Sequence, residues 1–322
     1  MSNNTMFSDY RTYIIAEIGS NWATLGDCLL SITKAKTAGA DAVKFQWYSH
    51  QDMYGTPGEM KGELPDEFIP KLAEKARAVG IDFMCTPFSV EKAEKLNKYV
   101  NMHKVASSDM THWPLLQYLS STNKPILLST GGIHTENEVR ESVRICGPKT
   151  TIMHCVSSYP TNKAALGRIG LLKEQYPDNI IGYSDHTTDV YDIPYMAVQL
   201  GARVLEKHVN FVDLHGTPDA PHSLSFKDFK NMISLIRGET PNDYWAHSEQ
   251  LDMRLKHNRR LIAIKNIKKG EKLVLDDNVG FFRSKVVDTI GSNPFSVNPV
   301  HTALAKQDHE PGEGVDWDPL SI

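Results

Sequence analysis

Cysteine is scarce: the 322 residues contain four (Cys28, Cys85, Cys146 and Cys155), scattered and without a C-x-x-C pair. That argues against a disulfide frame and for buried thiols in a reducing compartment. Long apolar runs are missing too, and no stretch approaches the roughly 20 residues that a membrane span needs. Positive charge is not in excess, with 35 Lys and Arg against 39 Asp and Glu and a net charge of −4. Without a basic field or a polybasic run, neither nucleic acid nor a membrane is an expected partner. The opening segment MSNNTMFSDY holds no Lys or Arg, so no secretory signal is expected and a cytoplasmic location follows. What is present is apolar material for a sizeable core: 40% hydrophobic residues, with 11 Phe, 12 Tyr and 5 Trp. Disordered and fibrous classes are thereby excluded, and the length fits one large domain or one plus a small second.

Short β-rich runs recur along the chain, each followed by a helical pattern. They are TYIIAE (12–17), AVKFQW (42–47), IDFMCT (81–86), HKVAS (103–107), PILLST (125–130), TTIMHC (150–155), IIGYS (180–184) and ARVLEKH (202–208). Between them DCLLSITKAKTAGA and PKLAEKARAVG space their apolar residues by three and four and close with Gly, as capped amphipathic helices do. TENEVRESVRIC opens with Thr135 as N-cap and carries Glu138 three residues on. Eight strands alternating with helices predict an α/β fold with right-handed parallel crossovers, and the count fits a (β/α)8 TIM barrel. A doubly wound open sheet is the alternative, but AEIGSNW after the first strand supplies no G-x-G-x-x-G.

The barrel is expected over residues 1–238, ending after a helix near SFKDFKNMISLIR. A polar linker follows at 239–258, and from 259 to 322 the style changes to short strands with a KKGE turn, which reads as a small β-rich domain.

In such barrels the C-terminal strand ends build the site. Those ends carry Glu17; Lys44 and Gln46; Thr86; Lys104 with Ser107 and Asp109; Ser129; His154 with Ser157 and Tyr159; Ser184 to Thr187; and Glu206 to His208. Lysine inside a barrel strand is costly unless something anionic neutralises it. Lys44 and Lys104, with hydroxyls at 86, 107, 129 and 184, describe a pocket for phosphate, or phosphate plus carboxylate; each lysine alone equally suits a rim ion pair. His186 and His208, beside Asp185 and Glu206, suit a divalent transition metal such as Mn²⁺, with hydrogen-bonded structural histidines as the alternative. His154 is expected to support that layer from behind, and Cys85 and Cys155 to pack inertly.

These motifs resemble the sialic acid synthase (N-acetylneuraminate synthase-like) family along nearly the whole chain. The likeness runs through IAEIGSN, AGADAVKFQ, HKVASSD, KPILLSTGG, HCVSSYPT, GYSDHT and GARVLEKH. RRLIAIKNIKKGEKLVLDDN in the tail is similar to the start of the family's antifreeze-like (SAF) domain. The resemblance implies condensation of phosphoenolpyruvate with an N-acetylated aldose, most simply N-acetylmannosamine, on a (β/α)8 barrel with a divalent metal: Mn²⁺ first, Mg²⁺ or Co²⁺ as alternatives. It implies Lys44, Gln46, Thr86, Lys104, Ser107, Asp109, Ser129 and Ser184 as phosphoenolpyruvate contacts, joined by Ser157 where the family often has Asn. His186 and His208 would be the metal ligands, and Glu17 the proton handler. Glu17, Tyr159, Asp219 and Arg283 would meet the sugar, the arginine crossing from a partner subunit in a domain-swapped homodimer. Departures fall at Trp22, where the family usually has His, at Ser89 of the family's PFD, at Ser157 and in the loop around Arg283. They gather on the sugar side and leave legionaminic or pseudaminic acid precursors open as acceptors. A Schiff-base aldolase using Lys44, Lys104 or Lys207, and a sugar- or phosphate-binding barrel without catalysis, are the competing readings.

Overall fold

A computed structural model describes residues 11–132, 134–238, 259–283, 291–292, 294, 297 and 302–317. The expected linker at 239–258 and the loop after Arg283 (284–290) lie outside the described residues. By internal packing the chain divides into two units, Met1–Pro241 and Asn242–Ile322.

The first unit is a (β/α)8 barrel. Its strands are β1 (Tyr13–Gly19), β2 (Ala42–Trp47), β3 (Asp82–Pro87), β4 (His103–Val105), β5 (Ile126–Ser129), β6 (Thr150–Cys155), β7 (Ile180–Asp185) and β8 (Val204–His208). All ladders are parallel, in the order β3-β2-β1-β8-β7-β6-β5-β4, with β1 bonded to both β2 and β8. β3 and β4 pack side by side at the one seam that lacks a ladder. Every strand lies within two residues of the span expected from sequence. The helices follow their capping signals. Thr24 and Thr135 each form a capping box, with Asp27 and Glu138, and Gly39 ends the first helix in the left-handed region at φ 98°.

Strand alternation divides the buried residues into two cores. Ile14, Ala16, Ile18, Val43, Phe45, Phe83, Ile152, Ile181 and Leu205 face the surrounding helices. Their neighbours Ile15, Ala42, Met84, Met102, Leu127, Met153 and Val204 meet inside the barrel as an apolar plug. Gly182 makes room there, because a Cβ at that position would lie 2.2 Å from Met153 Sδ. One step further along the same inward rows stand Glu17, Lys44, Lys104, Ser129, Cys155, Ser184 and Glu206. The parity that sends Glu206 and His208 inward sends Lys207 outward, where it is fully buried and bonds Asp185 Oδ2 at 2.6 Å and the Thr187 carbonyl at 2.6 Å. His154 is outward by the same rule: it stacks on Tyr183 and bonds the Ala164 carbonyl at 2.9 Å, so it supports the helix layer rather than the inner polar layer.

The second unit contains an antiparallel pair, β9 (Arg260–Ala263) and β10 (Val279–Phe282). Leu261, Ala263, Ile267, Leu273, Val279, Ala303, Val315 and Trp317 form its small core. The expected KKGE turn is present, with Glu271 N–H bonding the Lys268 carbonyl at 2.9 Å.

Removing one member of a buried ion pair leaves an uncompensated charge, which costs about 3–5 kcal/mol. Lys207→Ala is therefore expected to lower the thermal unfolding midpoint sharply, while Lys207→Met combined with Asp185→Leu recovers most of the loss. Equal melting of wild type and Lys207→Ala would contradict this account of the outer layer.

Candidate active site

Two cavities described in the barrel unit adjoin each other at the C-terminal strand ends. The inner one, about 60 Å³, is floored by Glu17, Lys44, Lys104, Ser129 and Glu206 and walled by Gln46, Thr86, Ser107, Tyr159, Ser184, His186 and His208. The outer one, about 500 Å³, shares Gln46, Ser107, Tyr159 and His208 with it and adds Ser108, His134, Ser157 and Asp219. A larger space of about 780 Å³ opens at the opposite end, around the strand starts. Its acids are already engaged: Asp41 holds Arg11 and Arg237, both at 2.9 Å, and Asp82 accepts from the Tyr13 hydroxyl at 2.5 Å. The candidate site is the pair of cavities at the other end.

Neither lysine snorkels to the rim: Lys44 and Lys104 are 3% and 4% exposed. Lys44 Nζ stands 2.9 Å from Glu17 Oε2 and 3.6 Å from Glu206 Oε1, and donates to Thr86 Oγ1 at 3.3 Å. Lys104 Nζ lies 3.6 Å from the same Glu206 oxygen and donates to Ser129 Oγ at 2.8 Å. Ser184 donates to Glu206 Oε1 at 2.9 Å, and Gln46 Nε2 to Glu17 Oε1 at 2.8 Å. Two carboxylates and two ammoniums thus share a buried floor.

Their ionisation diverges. Burial, helped by the negative charge of Glu206 and opposed by Lys44, pushes Glu17 up to about 7. Burial also acts on Glu206, but Lys104 and Lys44 outweigh it and hold this acid down to about 2. Burial lowers Lys104, against the pull of Glu206, while Glu17 and Glu206 overcome the burial of Lys44 and raise it. One acid is fixed as a counter-ion and the other sits near neutrality, as a proton-transfer group should. The pairing role of Glu206 was not anticipated from sequence. The signal was available, since Glu206 shares the inward parity of His208.

At the rim, His186 donates Nδ1–H to the Val156 carbonyl at 2.7 Å, because a carbonyl can only accept. Its Nε2 then keeps a lone pair, 3.3 Å from Ser184 Oγ. Burial lowers His186 to about 4, so the ring is neutral. Tyr159 lies across this corner, its ring 4.2 Å from that of His186 and 5.2 Å from that of His222.

The loop after β8 is clamped to the end of β1. Asp219 Oδ2 accepts from Ser20 N–H at 2.7 Å and from Ser20 Oγ at 2.8 Å. Asn21 donates to the Val209 carbonyl at 3.0 Å and to Ser223 Oγ at 2.8 Å, and accepts from Thr217 at 2.6 Å. Gly19 at φ 54° permits this approach, for a Cβ there would lie 2.2 Å from Asp219 Oδ2. The other oxygen, Oδ1, faces His222 Nε2 at 3.4 Å and His208 Nδ1 at 4.0 Å. Both of those nitrogens are buried and have no hydrogen-bond partner among the described residues. Two imidazoles and a carboxylate whose ligand atoms all lie within 4.8 Å of one another fit a divalent transition metal. His222 was not expected from sequence; a single His in a Pro-containing loop carries no spacing signal.

Asp109 ends a 3₁₀ turn, accepts from Ser108 at 3.0 Å and lines neither cavity. Arg283 is exposed just after β10 in the second unit. Cys155 is not inert packing: it lines the inner cavity, 3.1 Å from Ser107 Oγ. Trp22 bonds the Gly19 carbonyl and packs edge-on against Phe68, and Ser89 caps the helix Val90–Leu96. Both departures thus have structural work outside the cavities, and Ser157 faces the outer one.

Residues 31–240 match the model of the NeuB family. The chain belongs to that family. A pseudaminic acid synthase of Campylobacter jejuni is 31% identical over 84% of this chain and 87% of its own length. An N,N'-diacetyllegionaminic acid synthase of the same organism is 32% identical over 81% and 87%. Among solved structures, an N-acetylneuraminic acid synthetase from Leptospira borgpetersenii, in complex with citrate, superposes with a TM-score of 0.68 at 28% identity, covering 79% of this chain and 95% of that one. The barrel of this NeuB-family chain is therefore a shared framework.

Proposed function

We propose that this chain is a nonulosonic acid synthase that condenses phosphoenolpyruvate with an N-acetylated aldose and releases phosphate. The observation that carries the reading is the pair of buried lysines, Lys44 and Lys104, facing hydroxyls on the floor of a cavity at the C-terminal strand ends of the barrel. The simplest acceptor is N-acetylmannosamine, giving N-acetylneuraminate. The relatives of nearly equal identity are named for pseudaminic and legionaminic acids, so the outer cavity, with Ser157, Tyr159 and Asp219, is the part that selects the acceptor.

Lys44 and Lys104 offset the phosphate and carboxylate charge of phosphoenolpyruvate, and Thr86, Ser107, Ser129 and Ser184 supply hydroxyl donors. Gln46 orients Glu17 through their 2.8 Å bond. Carbon 3 of phosphoenolpyruvate attacks the open-chain aldehyde, water adds at carbon 2, and phosphate leaves. Glu17, near neutrality and next to Lys44, exchanges the proton of that water addition. A divalent metal, Mn²⁺ first, held at the His208 end would supply Lewis-acid polarisation of the aldehyde. The tail would complete the sugar pocket as an SAF domain, the partner subunit's Arg283 reaching in across a domain-swapped homodimer.

The test is phosphate release from phosphoenolpyruvate, with Mn²⁺ or chelator, across a panel of N-acetylated hexosamines and 2,4-diacetamido sugars. Release that needs both the metal and one particular sugar is expected. Release without any sugar, or none across the panel from folded protein that binds phosphoenolpyruvate, would contradict the synthase reading.

Glu17 also sets a pH dependence. An arriving anion favours the neutral form of a carboxyl group already raised to about 7, so the complex holds more protons than the free site. Affinity for phosphoenolpyruvate should therefore fall as pH rises through 7 to 8. Calorimetry in buffers of different ionisation enthalpy should show proton uptake that Glu17→Gln abolishes. No uptake by wild type, or the same uptake by the variant, would contradict the assignment.

A further inference from the structure

We infer that His222 is a metal ligand in this chain and that the resident cation is gripped by His208, Asp219 and His222, a two-imidazole, one-carboxylate site, rather than by the His186–His208 pair alone. This inference rests on the metal-dependent reading above and adds to it a residue that the resemblance did not supply.

The three donors come from two segments only. His208 ends β8, while Asp219 and His222 flank the turn Asp219-Ala220-Pro221-His222, three residues apart. Ser20 fixes one oxygen of Asp219, with bonds of 2.7 and 2.8 Å, which turns the other toward both rings. The separations are informative. Asp219 Oδ1 lies 3.4 Å from His222 Nε2 and 4.0 Å from His208 Nδ1, loose for a hydrogen bond in one case and too long in the other. An ion bound at about 2.0–2.2 Å holds adjacent donors roughly 3–3.5 Å apart, so only a small inward movement is needed.

Burial adds a second argument. His208 is 4% and His222 1% exposed, and the nitrogens aimed at Asp219 have no hydrogen-bond partner among the described residues. Buried polar atoms in folded proteins are almost always satisfied, and a cation satisfies both at once. His186 differs in position: its Nδ1 is spent on the Val156 carbonyl at 2.7 Å, while its Nε2, 3.3 Å from Ser184 Oγ, keeps a lone pair because Ser184 donates to Glu206. Its ring centre stands 6.5 Å from that of His222, against 4.5 Å between His208 and His222. With two imidazoles and one carboxylate the site favours Mn²⁺, Fe²⁺, Co²⁺ or Zn²⁺ over Mg²⁺ or Ca²⁺.

The test uses chelator-treated full-length protein with neither phosphoenolpyruvate nor sugar, titrated with Co²⁺ and followed by visible absorption. His222→Phe keeps an aromatic ring against Tyr159 and His208 but removes the donor; His222→Ala and Asp219→Asn are companions. Each is expected to weaken Co²⁺ about tenfold or more. The metal-induced rise in unfolding temperature should shrink in His222→Phe, while metal-free His222→Phe melts no lower than metal-free wild type. Co²⁺ binding by His222→Phe that equals wild type, or failure of wild type to bind Co²⁺ or Mn²⁺ at all, would overturn the inference. Sugar-dependent phosphate release with unchanged Co²⁺ binding in His222→Phe would overturn the ligand assignment alone. Co²⁺ binding that requires His222, in a protein that releases phosphate with no sugar in the panel, would uphold the site and remove the synthase reading.

Discussion

Lys44, Lys104, Glu17 and Glu206 meet on a buried floor, and the rest of the site is arranged around them. Each ion gives up several kcal/mol of hydration to be there, and a pair at about 4 Å regains about 4 kcal/mol when the local screening is that of a protein surface. The balance closes only because every head group has opposite charge or a hydroxyl beside it. The apolar plug below, built from Met84, Met102, Met153 and their neighbours, keeps solvent from entering from the other end. Such a floor is already organised for an anion, and little reorganisation is left when one arrives.

A second constraint acts at the rim. The loop after β8 is sewn to the end of β1 through Ser20 and Asn21, so the two ends of the barrel sequence are joined where the cavity opens. This clamp positions Asp219 and the turn that carries His222, next to the end of the strand that brings Glu206 and His208. The buried counter-ion Glu206 and the candidate metal donor His208 are thus carried by one five-residue strand.

Much of this was legible from residue pattern. Strand runs, Gly-terminated helices and the capping box at Thr135 and Glu138 are local signals, and the structure follows them closely. The lysines were legible because charge inside a strand is rare. What escaped depends on parity and on loops. His154 and Lys207 read as site residues until alternation from Met153 and Glu206 assigns them to the outer face. Trp22 and Ser89 read as changes at the sugar until their contacts, Phe68 and the Lys92 N–H, are known. His222 becomes visible only when a loop folds back over 14 residues to meet His208, a contact that no periodicity encodes.

The central claim is that the buried floor is a receptor for phosphoenolpyruvate. The most direct measurement is calorimetric titration of phosphoenolpyruvate into metal-loaded wild type, Lys44→Met and Lys104→Met, with unfolding temperatures recorded in parallel. The account expects each folded variant to bind about tenfold or more weakly, equivalent to about 1.4 kcal/mol or more. Wild-type affinity in both folded variants would contradict it.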